Sequence, residues 1–314
     1  MNIEKVIEQN GIIPVVKFNT ADFVLSVAEA LLSGGLNCIE VTYRTSVAGD
    51  AIRMIKTAHP ETVVGAGTVL TKAQAEDAVK NGADFLVSPG INPEIVKYAA
   101  ELQVPFIPGC CTPSEIEKGI ELGLTLLKFF PAEASGGVAM LKALSAPYQM
   151  VKFMPTGGIG LNNINHYLAL DCVCGCGGSF MIDETNPEKT KKLSEEAFLK
   201  TLNLQLGHIG LYNESAEEAN RTAYLFSKIF NTDFDDRGGA IFTGKMFEIL
   251  KSPGKGKNGH IQILTSSIER SEKYFMNLGL HFDENSKAYD KNGKLTLVYF
   301  KEEVSGMALH LSKI

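Results

Sequence analysis

Lysine is seldom found inside an apolar run, yet Lys128 sits in Leu126-Leu-Lys-Phe-Phe130. Taking an ammonium out of water lowers its pKa toward that of a usable amine, the nucleophile that forms Schiff bases with ketones. The structural alternative is a lysine snorkelling out of a strand end. Glu40, in Cys38-Ile-Glu-Val-Thr42, is equally out of place. A carboxyl there suits general acid/base work, with an ion pair to a neighbouring strand as its structural alternative. Arg44 follows closely and offers a planar fork to a carboxylate. Two glycine turns, Thr156-Gly-Gly-Ile159 and Gly177-Gly-Ser179, can aim bare backbone N–H groups at an anion such as phosphate. Cys172-x-Cys174-x-Cys176 puts three thiols on one face if the segment is a strand. That could suit a soft metal, but a fourth ligand and a loop are missing, so packing is the better reading.

The elements that must position these groups form a repeating pattern. After a short amphipathic helix (Ile3, Val6 and Ile7 on one face, Gly11 as its stop), eight apolar runs alternate with helical segments. The runs are 12–18, 38–43, 62–69, 85–89, 106–109, 126–130, 152–155 and 173–177, spaced roughly 20–25 residues apart. Continuous apolar runs of this kind fit parallel strands buried on both faces. Thr71 with Gln74, and Thr112 with Glu115, spell capping boxes; Asn92-Pro93 and Asn186-Pro187 put proline at a first helical position. Eight consecutive strand–helix units predict a (β/α)8 TIM barrel, with a doubly wound open sheet as the alternative. In such a barrel the active site lies at the C-terminal ends of the strands, and turns after the seventh and eighth hold phosphate.

The texture changes beyond a charged helix over 187–204. A strand at His208–Tyr212, a helix from Ser215 to Phe230 and further strands up to 246–250 lead to a Gly/Lys loop at 252–259. A second copy follows: a strand from His260, a helix from Ile268 to Leu278, and strands to the end with an Asn292-Gly293 turn. His-Ile opens each copy, and Phe234-Asp235 answers Phe282-Asp283. The expectation is therefore two domains, 1–204 and 205–314, the second an α+β domain of two βαβββ modules.

The 314 residues are 45% hydrophobic and 21% charged, with 30 Lys+Arg against 36 Asp+Glu, which excludes long disorder. A net charge of −6 without a basic run lacks the footprint of a nucleic-acid or anionic-membrane binder. No apolar stretch is long enough for a transmembrane helix and no signal peptide is visible, so a cytoplasmic protein with reduced cysteines is expected.

Residues 1–204 resemble the 2-keto-3-deoxy-6-phosphogluconate (KDPG) / 2-keto-4-hydroxyglutarate (KHG) aldolases, the small Schiff-base (class I) family. The resemblance is carried, in order, by Ile39-Glu-Val-Thr-Tyr-Arg-Thr45, Val64-Gly-Ala-Gly-Thr68, Val87-Ser-Pro-Gly90, Ile107-Pro-Gly109, Lys128-Phe-Phe-Pro-Ala-Glu133, Pro155-Thr-Gly-Gly-Ile159 and Gly177-Gly-Ser179. It implies that Lys128 forms the Schiff base and Glu40 is the general acid/base, with no metal required. It further implies that Arg44, Thr68 and Pro89 surround the pyruvyl carboxylate and that Thr156 lies near the substrate hydroxyls. Gly157, Gly158, Gly178 and Ser179 would hold phosphate, and the assembly would be a homotrimer. Phe180, where the family often has tryptophan, and the thiol-rich turn Cys110-Cys111-Thr112 depart from the pattern and bear on substrate preference.

The doubled βαβββ unit resembles the glyoxalase / vicinal oxygen chelate (VOC) superfamily. By that resemblance His208, Glu248, His260 and His310 would hold a divalent Zn, Ni or Fe, with His310 standing where the family usually has Glu or Gln. A module without metal, serving ligand binding, sensing or oligomerisation, is the competing reading. The whole implies a small-molecule enzyme cleaving KDPG, and KHG as well, or a related 2-keto-3-deoxy sugar acid. A different phosphate-binding lyase or isomerase is the reading from outside the family.

Overall fold

Short parallel strands occupy the cores of the apolar runs in the first two hundred residues. The structure, a computed structural model, describes residues 1–314 and separates into two units, Met1–Thr201 and Leu202–Ile314. In the first unit the strands are β1 (Ile12–Val16), β2 (Cys38–Thr42), β3 (Val63–Gly67), β4 (Phe85–Val87), β5 (Phe106–Ile107), β6 (Gly109–Cys110), β7 (Leu126–Phe129), β8 (Lys152–Pro155) and β9 (Cys176–Gly178). Strands β9-β1-β2-β3-β4-β5 pair in parallel in that order, as do β6-β7-β8. The fifth run is interrupted at Pro108, which has no N–H to donate, although its carbonyl still accepts from Lys128 N at 2.9 Å. Bridges Phe153–Val173 and Thr156–Gly177 link the β8 chain to the chain entering and forming β9. The result is a curled parallel sheet with helices between its strands.

The eighth run is shorter than its sequence suggests. Only Cys176 of the three alternating cysteines lies in a strand; Cys172 and Cys174 precede it. The cause is local: a Cβ on Gly175 would lie 2.6 Å from Ile7 Cγ2, so this segment packs tightly under the first helix, α1 (Ile3–Asn10). Cys174 is buried in the apolar cluster, where desolvation drives its thiol pKa far up, as it does for Cys38.

Period-two alternation decides what faces inward. Ile13, Cys38, Phe85, Val87, Ile107, Leu126 and Met154 form one apolar cluster, with Ile7 of α1 packed into it. Burying each such side chain stabilises by roughly 1.5–3 kcal/mol. Glu40 and Lys128 lie two residues beyond Cys38 and Leu126 on the same strands, so they share that face one step nearer the C-terminal edge. The intervening helices are α2 (Val24–Ser33), α3 (Ala48–Ala58), α4 (Lys72–Lys80), α5 (Pro93–Glu101), α6 (Pro113–Glu121), α7 (Gly137–Ser145), α8 (Ile164–Leu168) and α9 (Pro187–Leu202). Thr71/Gln74 and Thr112/Glu115 close reciprocal capping boxes, and Asn92 caps α5 with Pro93 inside its first turn.

The second unit reads strand, helix and three strands, twice: β10 (Gln205–Tyr212), α10 (Ala216–Phe230), β11 (Phe234–Asp236), β12 (Ala240–Thr243) and β13 (Phe247–Leu250), then β14 (Gly259–Thr265), α11 (Ile268–Asn277), β15 (Phe282–Tyr289), β16 (Leu295–Val304) and β17 (Met307–Lys313). All eight strands join one sheet in the order β11-β12-β13-β10-β14-β17-β16-β15. Its halves meet at the antiparallel pair β10–β14, each flanked by a parallel pair, β10–β13 and β14–β17. Phe234 and Phe282 each open the strand after the helix. Ser215 caps α10 through Glu218 N, but the Glu218 carboxylate reaches back to Glu214 N and not to the cap residue's own amide. No helix of the chain is long and apolar enough to cross a membrane.

Candidate active site and metal centre

Lys128 and Glu40 meet directly. Lys128 Nζ donates to Glu40 Oε1 at 3.2 Å, and their side chains are only 7% and 1% exposed. A charged pair this deep is costly to build in place of apolar side chains, so it points to chemistry more than to stability. Glu40 Oε2 is buried without a hydrogen-bond partner, leaving one carboxylate oxygen uncommitted. Room for the carboxylate is made by Gly67, where a Cβ would stand 2.2 Å from Oε1. Gly65, paired with Glu40 in the ladder, likewise leaves room for the Phe85 ring. Lys128 Nζ also lies 5.5 Å from the Phe130 ring centre, an apolar wall beside the amine.

The other expected residues lie on the same edge. Because the strands are parallel, Arg44 after β2, Thr68 after β3, Pro89 after β4, Thr156 and Gly157-Gly158 after β8, and Gly178 and Ser179 at the end of β9 all fall at the C-terminal end of the sheet. Arg44 Nε donates to Thr42 Oγ1 at 3.3 Å, and the buried Thr42 hydroxyl donates to Val16 O at 3.0 Å. Thr68 holds φ +58°, a left-handed conformation costly for a β-branched residue and of the kind that clusters at working sites. Thr156 is buried against Gly177, where a Cβ would lie 2.4 Å from its hydroxyl.

The segment after β7 braces the first glycine turn. Ala132 N and Glu133 N donate to Thr156 O and Gly157 O at 2.8 and 3.1 Å, and Glu133 accepts from the buried Tyr167 hydroxyl. Gly157 and Gly158 sit at φ +100° and +79°. Two adjacent amides in this state form a concavity suited to an anion. Glu133, though part of a motif, thus acts on the turn and not on the Lys128–Glu40 pair.

In the second unit, His208, Glu248, His260 and His310 come from the four central strands β10, β13, β14 and β17 and converge. Glu248 Oε2 lies 3.0 Å from His208 Nε2 and 3.0 Å from His260 Nε2, and the two Nε2 atoms are 3.0 Å apart. Ligand atoms of the three histidines lie within 4.8 Å of one another. A tetrahedral ion with bonds near 2.1 Å separates its ligand atoms by roughly 3.4 Å, so this donor set fits a divalent cation. Glycines clear the space: a Cβ on Gly210 would stand 2.2 Å from His260 Cε1, and one on Gly207 2.3 Å from Gln262 Oε1. His310 Nδ1 meets Ser312 Oγ at 3.1 Å, which accepts from Gln262 Nε2 at 3.2 Å, an arrangement that fixes the ring with Nε2 free.

Electrostatics here are marked. Hydrogen bonds from His208 and His260 lower the Glu248 pKa to about 2. Burial, assisted by the neighbouring imidazoles, lowers that of His310 to about 3, keeping it neutral and able to donate a lone pair. The four groups line a cavity of about 400 Å³ that also receives Tyr212, Lys255 and Tyr299. Those three, with Ser312 and Gln262, escaped sequence reasoning because none is unusual in type for a strand or loop. In the first unit Gly67 lies inside the motif Val64-Gly-Ala-Gly-Thr68, but its space-making role is visible only in the structure.

A buried amine against a carboxylate, on the C-terminal edge of a parallel α/β sheet, defines the class: an enzyme for carbonyl chemistry. The sequence profile of the KDPG and KHG aldolase family matches residues 3–194, and the chain belongs to that family. It is 47% identical over 182 residues to the 2-dehydro-3-deoxy-phosphogluconate aldolase of Haemophilus influenzae, covering 58% of this chain and 85% of the relative. To the KHG/KDPG aldolase of Escherichia coli it is 41% identical over 199 residues, 62% of this chain and 93% of that one. Among solved structures, the KDPG aldolase of Legionella pneumophila, with pyruvate captured as a covalent carbinolamine intermediate, superposes with a TM-score of 0.60 at 38% identity, covering 62% of this chain and 97% of that one.

Proposed function

We propose that the chain is a Schiff-base aldolase that reversibly cleaves 2-keto-3-deoxy-6-phosphogluconate to pyruvate and D-glyceraldehyde 3-phosphate. The observation that carries this is the buried contact of Lys128 Nζ with Glu40 Oε1 at 3.2 Å. In this reading the first unit is a closed (β/α)8 barrel, supported by the strand pairings and the two bridges beside β9. The Lys128 amine adds to the C2 ketone and water leaves, giving a protonated imine. Glu40, through a water, takes the C4 hydroxyl proton; the C3–C4 bond breaks and its electrons flow into the imine, releasing the aldehyde and an enamine. Protonation at C3 and hydrolysis then release pyruvate and the free lysine. Arg44, Thr68 and Pro89 hold the pyruvyl carboxylate, Thr156 the hydroxyls, and Gly157, Gly158, Gly178 and Ser179 the phosphate. Cleavage of 4-hydroxy-2-oxoglutarate to pyruvate and glyoxylate needs no further group and is a second reaction of the same site. The working form is a cytoplasmic homotrimer. Assay of pyruvate release from KDPG, its C4 epimer and KHG tests the reading; no pyruvate from any of them would refute it.

The second unit is proposed as a VOC-like metal domain, because His208, His260 and Glu248 converge within 3.0 Å with His310 beside them. A divalent ion held there supplies Lewis-acid polarisation of a bound oxygen. Metal analysis after expression with Zn, Ni and Fe available decides it: about one ion per chain is expected, and under about a tenth favours a module for ligand binding or oligomerisation.

A further inference from the structure

The glycine turns offer a phosphate only neutral amides, and a substrate with a carboxylate at one end and a phosphate at the other asks for two cations. Within three residues beyond the C-terminal ends of β1 to β9 there are two candidates, Arg44 after β2 and Lys17 after β1; every other position there is uncharged.

Strand register tells which face Lys17 occupies. Ile13 pairs with Gly177 and Val15 with Glu40, so these β1 residues share the inward face with Glu40. Lys17 is the next residue of that parity, while Phe18, of the opposite parity, is buried at 1% exposure and ties to the next loop through its carbonyl and Thr45 Oγ1 at 2.7 Å. Lys17 is itself exposed and makes no ion pair. β1 neighbours β9 directly, with Pro14 opposite Gly178, whereas Arg44 leaves from β2, one strand further from the glycine turns. Asn19 Nδ2, 3.3 Å from Glu184 Oε1, joins the loop after β1 to the segment that follows Ser179.

We propose that Lys17 is the counter-charge for the substrate's terminal phosphate and sets the preference for phosphorylated over unphosphorylated 2-keto-3-deoxy acids. The inference rests on the aldolase reading above and adds a residue to it. Arg44 then serves the carboxylate and Lys17 the phosphate, with the amides of Gly157 and Gly158 giving direction to the phosphate oxygens. A flexible ammonium suits this place because it closes on the phosphate only once Lys128 has engaged the other end of the substrate.

The test compares wild type, Lys17→Met and Lys17→Arg with KDPG and with its dephospho counterpart, 2-keto-3-deoxygluconate. Loss of one charge-assisted contact predicts about a tenfold fall in the kcat/KM ratio of phosphorylated to unphosphorylated substrate for Lys17→Met, seen mainly in KM. Lys17→Arg should recover most of that ratio, and inhibition by inorganic phosphate should weaken in Lys17→Met alone. An equal change with both substrates, or none with either, overturns the proposal for Lys17 while leaving the aldolase reading intact. A wild-type chain that releases no pyruvate from KDPG but still forms a reducible pyruvate adduct overturns the phosphate assignment. One that does neither overturns the aldolase reading and this inference with it.

Discussion

At the scale of single residues, the two centres were legible in the sequence because charge stood where apolar side chains belong. Lys128 and Glu40 each interrupt a buried strand, and the structure brings them to 3.2 Å. That both serve one site followed from the family resemblance, whereas their direct contact, across 88 positions of chain, needed the structure. Gly67 is the clearest case of a residue whose role needs three dimensions: its missing Cβ is the space Glu40 occupies. Gly67→Ala should therefore displace the carboxylate and lower kcat at least about tenfold while the first unit still folds, checked by kinetics beside circular dichroism. Glu40→Gln, which keeps shape and loses the proton acceptor, should cost about a hundredfold to ten-thousandfold in kcat and still form a trappable pyruvate adduct. A variant with near wild-type turnover would remove Glu40 from the proton path.

At the scale of elements, apolar period and capping residues located the strands and helices well, because both signals are local. Thr71, Thr112 and Asn92 cap the helices they announce. Strand ends were less legible: β5 and β6 split at Pro108, and the alternating cysteines do not share a strand because Gly175 is pressed against Ile7. In the second unit the sheet carries a pH dependence. His310 has a folded pKa of about 3 against an ordinary 6.5, so the unfolded chain binds this proton first. Stability is thus undiminished above about 6.5 and falls as pH drops from there toward 3. Glu248, lowered to about 2 from 4.5, adds a further loss as pH falls from about 4.5 toward 2. Denaturation of metal-free protein at pH 7 and pH 4, monitored on the second unit, should show the lower midpoint at pH 4. His310→Gln should flatten the part above about pH 4.5.

At the scale of the whole chain, the structure divides into two units, Met1–Thr201 and Leu202–Ile314. The family profile ends at residue 194, and the H. influenzae relative is matched over 85% of its own length by 182 residues of this chain. The first unit holds every residue assigned to the aldol reaction. Truncation after Leu204 should leave kcat and KM for KDPG within about twofold and abolish bound metal, since His208, Glu248, His260 and His310 go together. A large kinetic loss with intact folding would give the second unit a supporting role.

The central claim is that Lys128 is the amine that carries the substrate. Borohydride reduction in the presence of pyruvate, followed by peptide mass mapping, tests it most directly. A single reduced pyruvyl adduct on Lys128, absent from Lys128→Met, is predicted; no adduct, or one on another lysine, would contradict it.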